Sequence, residues 1–238
     1  MLDPTPFDDH LRSVDIMNIH RIEVQGAGFT VPGVIIEPKS PKGAAVISHG
    51  YGGCKEEQLG LAWRVAEAGL VALAIDLRGH GEHQLSLDQN VQDDVEAAIR
   101  HCRKYGKVVA IGHSIGGRLS LISSADHAIA ISPPLDPTYS DKTQETLRKL
   151  RHNKVRSDDN NWVFEILRKM PLWKDEGKGY MIIYGSRDVP EIVRSCDALM
   201  QNGGNVVRIE DALHGDTYLM NVTYMNVAKQ LEAWFGYD

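Results

Sequence analysis

The sequence predicts an α/β protein built on an eight-stranded, mostly parallel sheet with helices on both faces. Eight short runs of strand-forming residues alternate with amphipathic segments, and most runs from Ala44 onward are apolar at successive positions. This pattern is typical of strands whose two faces are both covered by helices. The predicted strands cover residues 20–24, 31–36, 44–48, 70–75, 108–111, 128–131, 180–184 and 206–209.

The segments between the strands have helical periodicity. Apolar residues recur three or four positions apart over residues 59–66, 91–102, 192–200 and 217–235. Strand and helix in alternation imply right-handed crossovers between parallel strands. No helical pattern separates the first two strands, so we expect an antiparallel hairpin at the N-terminal edge of the sheet.

The chain is predicted to be a single domain, residues 1–238, with one insertion. Residues 133–177 contain helical patterning but no strand-like run, and they follow the sixth predicted strand. Ligands of open α/β sheets bind at the carboxyl ends of the strands, and a long insertion there is usually functional. We therefore expect residues 133–177 to form a small helical cap.

Composition and charge indicate which kinds of partner and which location to expect. The formal net charge is −6, which argues against a nucleic-acid partner. No apolar run approaches the roughly 20 residues that span a bilayer, and the first ten residues lack the features of a secretory signal. Cys54, Cys102 and Cys196 are odd in number and widely spaced, which favours reduced thiols over disulfides or a zinc site. A cytoplasmic protein without membrane or nucleic-acid partners is expected.

The strongest chemical motif is Gly112-His113-Ser114-Ile115-Gly116, a G-x-S-x-G sequence. It follows an apolar strand and precedes a helical pattern, so it predicts a sharp strand-to-helix turn with a serine hydroxyl at its tip. The two glycines leave room for that turn, and the helix N-terminus favours negative charge near Ser114. The alternative is a glycine-rich turn that happens to contain serine.

With this motif the sequence resembles the α/β-hydrolases, in particular their small-cap carboxylesterases and serine-peptidase-like members. The resemblance extends from about Ile36 to the C-terminus. It rests on His-Gly-Tyr-Gly-Gly at 49–53, Asp-Leu-Arg-Gly-His-Gly at 76–81, the turn at Ser114 and two later loops. It implies the α/β-hydrolase fold and a catalytic triad in the order serine, acid, histidine.

The two later loops supply the acid and the histidine. Asp188 follows the strand predicted at 180–184, and His214 follows the strand at 206–209. A serine hydroxyl needs a base to accept its proton, and the base needs a carboxylate to orient it. Asp211 and Asp216 also flank His214. Because they lie on the same loop as the histidine, they are expected to have difficulty reaching the ring nitrogen that does not face Ser114. His113 is expected to point away from the nucleophile.

An oxyanion formed at Ser114 would need two N–H donors. One is expected from the backbone of Ile115, directly after the nucleophile. The resemblance implies that the other is the backbone N–H of Tyr51, in a glycine-rich loop after the third strand.

The insertion carries the signals for substrate choice, and each has two interpretations. Its large aromatic residues either line an apolar acyl pocket or form the core of the cap; they are Trp162, Phe164 and Trp173. The basic residues of this segment form a solvated helix face or bind an anionic group; they are Arg148, Lys149, Arg151, Lys154 and Arg156.

The sequence thus predicts a serine hydrolase that cleaves a small or medium carboxylic ester through an acyl-enzyme, with no cofactor and no metal. An aminopeptidase or acyl-peptide hydrolase and a thioesterase are alternatives on the same triad. A hydrolase-fold receptor for a small ligand is the non-enzymatic alternative. The sequence leaves the oligomeric state open.

Overall fold

The computed structural model describes residues 17–157 and 162–236. Eight strands form one sheet in the order β1-β2-β4-β3-β5-β6-β7-β8. The strands are β1 Asn18–Gln25, β2 Thr30–Glu37, β3 Ala44–Ser48, β4 Val71–Ile75, β5 Val108–His113, β6 His127–Ile131, β7 Gly179–Arg187 and β8 Val206–Leu213. Strand β2 pairs antiparallel with both β1 and β4, and the other neighbours are parallel.

Seven α-helices connect or flank these strands in the described part of the chain. They are α1 Leu59–Glu67, α2 Gln92–Cys102, α3 Ile115–Ile122, α4 Asp141–Arg151, α5 Val163–Lys169, α6 Pro190–Gln201 and α7 Asn221–Phe235. Each predicted strand overlaps an observed one, and β1 and β2 form the expected antiparallel pair at the edge of the sheet. The predicted fold class is confirmed.

Alternate side chains of strand β5 point into two different hydrophobic clusters on opposite faces of the sheet. Along β5, Val108 and Ala110 face the core that contains α2 and α5, whereas Val109 and Ile111 face the core that contains α1 and α7. All four side chains are fully buried. The successive apolar residues of the sequence are therefore explained by helices on both faces.

The segment between β6 and β7 contains helices α4 and α5. The apolar face of α5 includes Val163, Ile166 and Leu167, and it packs in the same hydrophobic cluster as Leu77 and Ile115. Helix α4 contains no buried residue. Residues 158–161 of the predicted cap lie outside the described residues.

No helix in the described ranges is long and apolar enough to cross a membrane. The described side chains also contain no group of three or more His, Cys, Asp or Glu residues that could hold a metal ion.

A buried ion pair joins the loop after β3 to the loop after β4. The Lys55 ammonium group is fully buried and lies 2.7 Å from Asp76 Oδ2 and 2.8 Å from Glu82 Oε2. Burial alone would lower the pKa of Lys55, but these carboxylates raise it above its ordinary value. Asp76 also accepts hydrogen bonds from the backbone N–H groups of Lys55 and Glu82. The pair therefore fixes the glycine-rich loop against its neighbour.

We expect Asp76→Ala to lower the free energy of unfolding by about 3–5 kcal/mol, because Lys55 would lose its fully buried counter-ion and the backbone N–H groups of Lys55 and Glu82 would lose their acceptor. Urea denaturation followed by circular dichroism measures this loss.

A matched control is Glu67→Ala, which removes the half-exposed pair of Glu67 with Arg64 and the hydrogen bond from Trp63 Nε1 on the surface of α1. It should cost less than about 1 kcal/mol. Similar losses in the two variants would show that the Lys55–Asp76 pair is no more important than a surface pair.

Candidate active site

Ser114 lies at the junction of β5 and α3 in a conformation that L-residues rarely adopt, with φ 54° and ψ −122°. Such backbone conformations cost of order 1–3 kcal/mol and persist where the surrounding structure imposes them. The Ser114 N–H donates to the carbonyl oxygen of Ile131 on β6 at 2.8 Å. The turn is therefore held by the neighbouring strand.

Two glycines make this turn possible, as the motif predicts. A Cβ atom on Gly112 would overlap the backbone of Gly116, and one on Gly116 would lie 2.6 Å from the carbonyl oxygen of Ser48 on β3. The first turn of α3 thus rests directly against the ends of β3 and β5.

The structure brings Ser114, His214 and Asp188 together. His214 Nε2 lies 3.0 Å from Ser114 Oγ, and His214 Nδ1 lies 2.7 Å from Asp188 Oδ1. An ionised carboxylate only accepts hydrogen bonds, so Nδ1 of His214 carries the donated proton. In the neutral imidazole, Nε2 is then free to accept the hydroxyl proton of Ser114.

The environment of Asp188 keeps it ionised. Its carboxyl group is fully buried. Burial would raise its pKa, but the hydrogen bonds from His214 and from the backbone N–H of Val189 hold the pKa below its ordinary value. A buried carboxylate beside an imidazole stabilises the imidazolium that forms when the histidine accepts a proton.

The two rival carboxylates of the same loop do not contact the His214 ring. Asp211 is exposed at the end of β8 and has a positive φ of 61°. Asp216 Oδ1 accepts a hydrogen bond from the backbone N–H of Leu213 at 2.6 Å. Its carboxylate therefore shapes the turn around His214.

His113 has a supporting contact that the sequence reasoning missed. Its buried ring packs 4.9 Å from the His214 ring and 4.4 Å from the Tyr218 ring, and Nε2 lies 2.8 Å from the carbonyl oxygen of His214. Burial lowers the pKa of His113 to about 3, so the ring is neutral and Nε2 is the donor to that carbonyl. Its position directly before the nucleophile was a signal for such a contact.

Tyr51 and Ile115 both line the cavity beside Ser114. The backbone N–H groups of these two residues donate to no acceptor within the described residues. The loop of Tyr51 approaches closely, since a Cβ atom on Gly50 would lie 3.1 Å from Ser114 Cβ. The two residues expected to supply the oxyanion donors thus both lie beside the nucleophile.

The phenol of Tyr51 is directed toward the segment between β6 and β7. Its hydroxyl lies 3.1 Å from Nδ1 of His152, and its ring packs edge-on at 5.3 Å from Trp162. Burial raises the pKa of Tyr51 to about 12, so the phenol stays neutral. These contacts anchor the loop to α4 and α5.

A cavity of about 460 Å³ opens at Ser114 and His214. Its walls come from α4, α5, the start of α6 and the loop of Tyr51. Much of the lining is apolar and includes Leu147, Val163, Phe164, Leu167, Val189 and Ile192. Cavities of this size and polarity bind small molecules.

The expectation for the three aromatic residues of the insertion needs correction. Phe164 lines the cavity, but Trp162 and Trp173 do not. Trp162 lies behind the wall, packed against Tyr51 and Phe164. Trp173 packs edge-on against Tyr180 at 4.8 Å. Both indoles therefore serve the packing of the segment, the second interpretation of the sequence.

Cys54 follows the glycine-rich loop but does not line the cavity. Its thiol is partly exposed, and burial raises its pKa above the ordinary value. A raised pKa disfavours the reactive thiolate.

We expect His113→Phe to slow the reaction of Ser114 with a fluorophosphonate probe by about 10-fold or less. Phenylalanine keeps the ring contacts with Tyr218 but removes the donor to the His214 carbonyl, a hydrogen bond worth about 1 kcal/mol. The second-order labelling rate of the purified protein measures the effect.

The control is His127→Phe, because His127 stacks on Trp234 at 4.5 Å and has no contact with the triad. If His113→Phe labels as fast as the parent while His127→Phe is also unchanged, the His113 contact does not position His214.

The chain resembles known proteins both in sequence and in fold. A family model described as "Alpha/beta hydrolase family" matches residues 45–174, more than half of the chain. The chain is 25% identical over 177 residues to ethanol acetyltransferase 1 of the yeast Kluyveromyces marxianus. That alignment covers 67% of this chain but 46% of the yeast protein, so the chain spans less than half of its relative's length.

Solved structures share the fold at low sequence identity. An esterase from Pyrobaculum calidifontis has a TM-score of 0.68 and 18% identity, over 91% of this chain and 86% of that one. An alpha-beta serine hydrolase homologue from Coxiella burnetii has a TM-score of 0.61 and 18% identity, over 91% and 97% of the two chains. From the family match and the shared fold, the chain belongs to the α/β-hydrolase family.

Proposed function

We propose that this chain is a serine hydrolase that cleaves small or medium carboxylic esters through an acyl-enzyme. The observation that carries the proposal is His214, whose two ring nitrogens lie at hydrogen-bonding distance from Ser114 Oγ and Asp188 Oδ1. A mostly apolar cavity opens at the same serine. The similarity to esterases of known structure supports a hydrolase, and ester cleavage is the finer part of the proposal.

The proposed reaction begins when Ser114 Oγ bonds to the ester carbonyl carbon and His214 Nε2 takes the hydroxyl proton. The carbonyl oxygen becomes an oxyanion, for which the N–H groups of Tyr51 and Ile115 are the donors. Breakage of the bond to the alcohol oxygen follows, and the alcohol leaves with the proton from His214.

The second half of the reaction repeats these roles with water. Water gives a proton to His214 and attacks the acyl carbon, and Ser114 Oγ leaves with that proton. Asp188 remains a carboxylate throughout and stabilises the imidazolium in both steps. The negative charge of each oxyanion also lies near the N-terminus of α3, where the helix dipole favours it.

The charges in the cavity favour esters over aminopeptidase substrates. A free amino terminus is a cation and would need a carboxylate beside it. Among the described residues that line the cavity, none is Asp or Glu, whereas Lys142 and Arg151 are both cations.

Acyl transfer to an alcohol is a second candidate function, which the similarity to the yeast ethanol acetyltransferase favours. The same acyl-enzyme would then react with an alcohol in place of water. Gas chromatography of reactions run with added ethanol would detect an ethyl ester product and measure the partition between the two acceptors.

The partners and the location of the protein stay predictions. The expected partner is a small ester-like molecule, no nucleic-acid or membrane partner is expected, and the expected location is the cytoplasm. We also propose that the segment of residues 133–177 acts as the cap of the site, since α4 and α5 supply part of the cavity wall.

We expect Ser114→Ala to abolish ester hydrolysis while the protein remains folded, because loss of the nucleophile of a triad costs on the order of 10⁶ in kcat. A panel of p-nitrophenyl esters of increasing chain length, with thermal unfolding as the folding check, measures this. Labelling by a fluorophosphonate probe should disappear in the same variant.

The matched pair Asp188→Asn and Asp211→Asn tests the acid. Asp188→Asn should reduce turnover by several orders of magnitude, whereas exposed Asp211→Asn should be nearly silent. If the parent protein cleaves thioesters but not oxygen esters, it is a thioesterase. Failure to turn over any ester or to react with the probe would favour a receptor.

We expect Phe164→Ala to lower kcat/KM for a hexanoate ester more than for an acetate ester. The difference should correspond to about 1–3 kcal/mol, the scale of a few buried methylene contacts. Acetate is affected less because its acyl group extends little beyond the oxyanion donors.

Trp173→Ala is the control, since Trp173 packs on Tyr180 and does not line the cavity. It should leave the chain-length preference unchanged. Equal losses on acetate and hexanoate in Phe164→Ala would mean that Phe164 positions the catalytic groups instead of the acyl chain. Phe164→Leu provides a milder change should the alanine variant be unstable.

A further inference from the structure

The basic cluster of the insertion is divided by the fold into separate environments. Arg148 lies over the Trp162 ring at 4.7 Å, and Lys149 pairs with Glu145 at 2.6 Å. Arg156 donates to the backbone carbonyl oxygens of His80, Gly81 and His83. These three cations therefore have structural partners of their own, and the fourth, exposed Lys154, does not line the cavity.

Arg151 differs from them in both place and partners. It is the last residue of α4, and it lines the cavity together with Ser114 and His214. Its Cβ would lie 2.9 Å from a Cβ atom on Gly52, so Arg151 packs directly on the glycine-rich loop of Tyr51. Within the described residues, its guanidinium group has no hydrogen-bond or ion-pair partner.

No carboxylate of the cavity wall offsets this charge. The described lining contains no Asp or Glu. Glu191 lies beside the cavity, but it accepts hydrogen bonds from Ser140 and Thr143 at the beginning of α4. Arg151 lies eight residues beyond Thr143, about 12 Å along the helix at 1.5 Å per residue.

Arg151 is half-buried and lines a mostly apolar cavity, so a ligand that covers its charge there must pair with it to avoid a desolvation cost. Its planar fork matches the two oxygens of a carboxylate, and such charge-assisted pairs are stronger than neutral hydrogen bonds. We propose that Arg151 binds a carboxylate carried by the substrate, so that the preferred esters are anionic. This inference rests on the proposed function, which it narrows to one class of ester.

The decisive test measures binding without turnover. By isothermal titration calorimetry, the Ser114→Ala protein should bind monoethyl glutarate about 10- to 100-fold more tightly than its neutral analogue ethyl 5-oxohexanoate, the scale of one hydrogen bond to a charged group. The pair 4-acetoxybenzoate and 4-acetoxyacetophenone repeats the comparison with the carboxylate on the leaving-group side. Preference in the first or second pair shows which part of the ester carries the charge.

Adding Arg151→Met to the Ser114→Ala protein should remove the preference, and Arg151→Lys should retain part of it. Lys149→Met is the matched control, since it removes one positive charge from the same helix at a residue that does not line the cavity. It should leave the preference unchanged.

Equal binding of the anionic and neutral esters, no measurable binding of either, or an equal effect of Arg151→Met and Lys149→Met would overturn the assignment of Arg151. The proposed function is judged separately, by Ser114-dependent hydrolysis of neutral esters in the parent protein. Hydrolysis with no preference for charge would contradict only the role of Arg151.

Discussion

The strained turn at Ser114 is the constraint on which the rest of the candidate site depends. The Ser114 backbone, with φ 54°, joins a buried strand to a buried helix. The carbonyl oxygen of Ile131 accepts a hydrogen bond from the Ser114 N–H, and the carbonyl oxygen of Ser48 lies against Gly116 in the same turn. Because side chains at Gly112 and Gly116 would occupy the same space, the turn tolerates no bulk. The strain is thus compensated by the packing of the sheet.

The sheet converts this turn into a site by aligning the ends of its parallel strands. Ser114 follows β5, Asp188 follows β7 and His214 follows β8, so residues far apart in the chain meet at one edge. The loop of Tyr51 follows β3 at the same edge. The buried Lys55–Asp76 pair holds that loop in place through charges that solvent does not screen.

Burial gives the neighbouring histidines different roles. His113 is buried and neutral, and it supports His214 through a backbone carbonyl. The side chain of His214 remains 26% exposed and contacts both Ser114 and Asp188. His113 is thus a positioning group and His214 is the proposed base, because only His214 reaches the cavity.

The sequence by itself determined the fold class and the eight strands, because successive apolar residues are a local signal of buried strands. Gly112 and Gly116 mark a tight turn at Ser114, and the resemblance to the α/β-hydrolases implied the order serine, acid, histidine of the triad candidates. Tertiary structure alone decided which side chains face the cavity. Trp162 and Trp173 are of a residue type common in apolar binding pockets, but both pack outside the cavity. Arg151 lines the cavity, whereas Arg148 of the same helix packs on the Trp162 ring. These outcomes depend on how α4 and α5 lie against the sheet, and contacts between distant segments leave no periodic pattern in the chain.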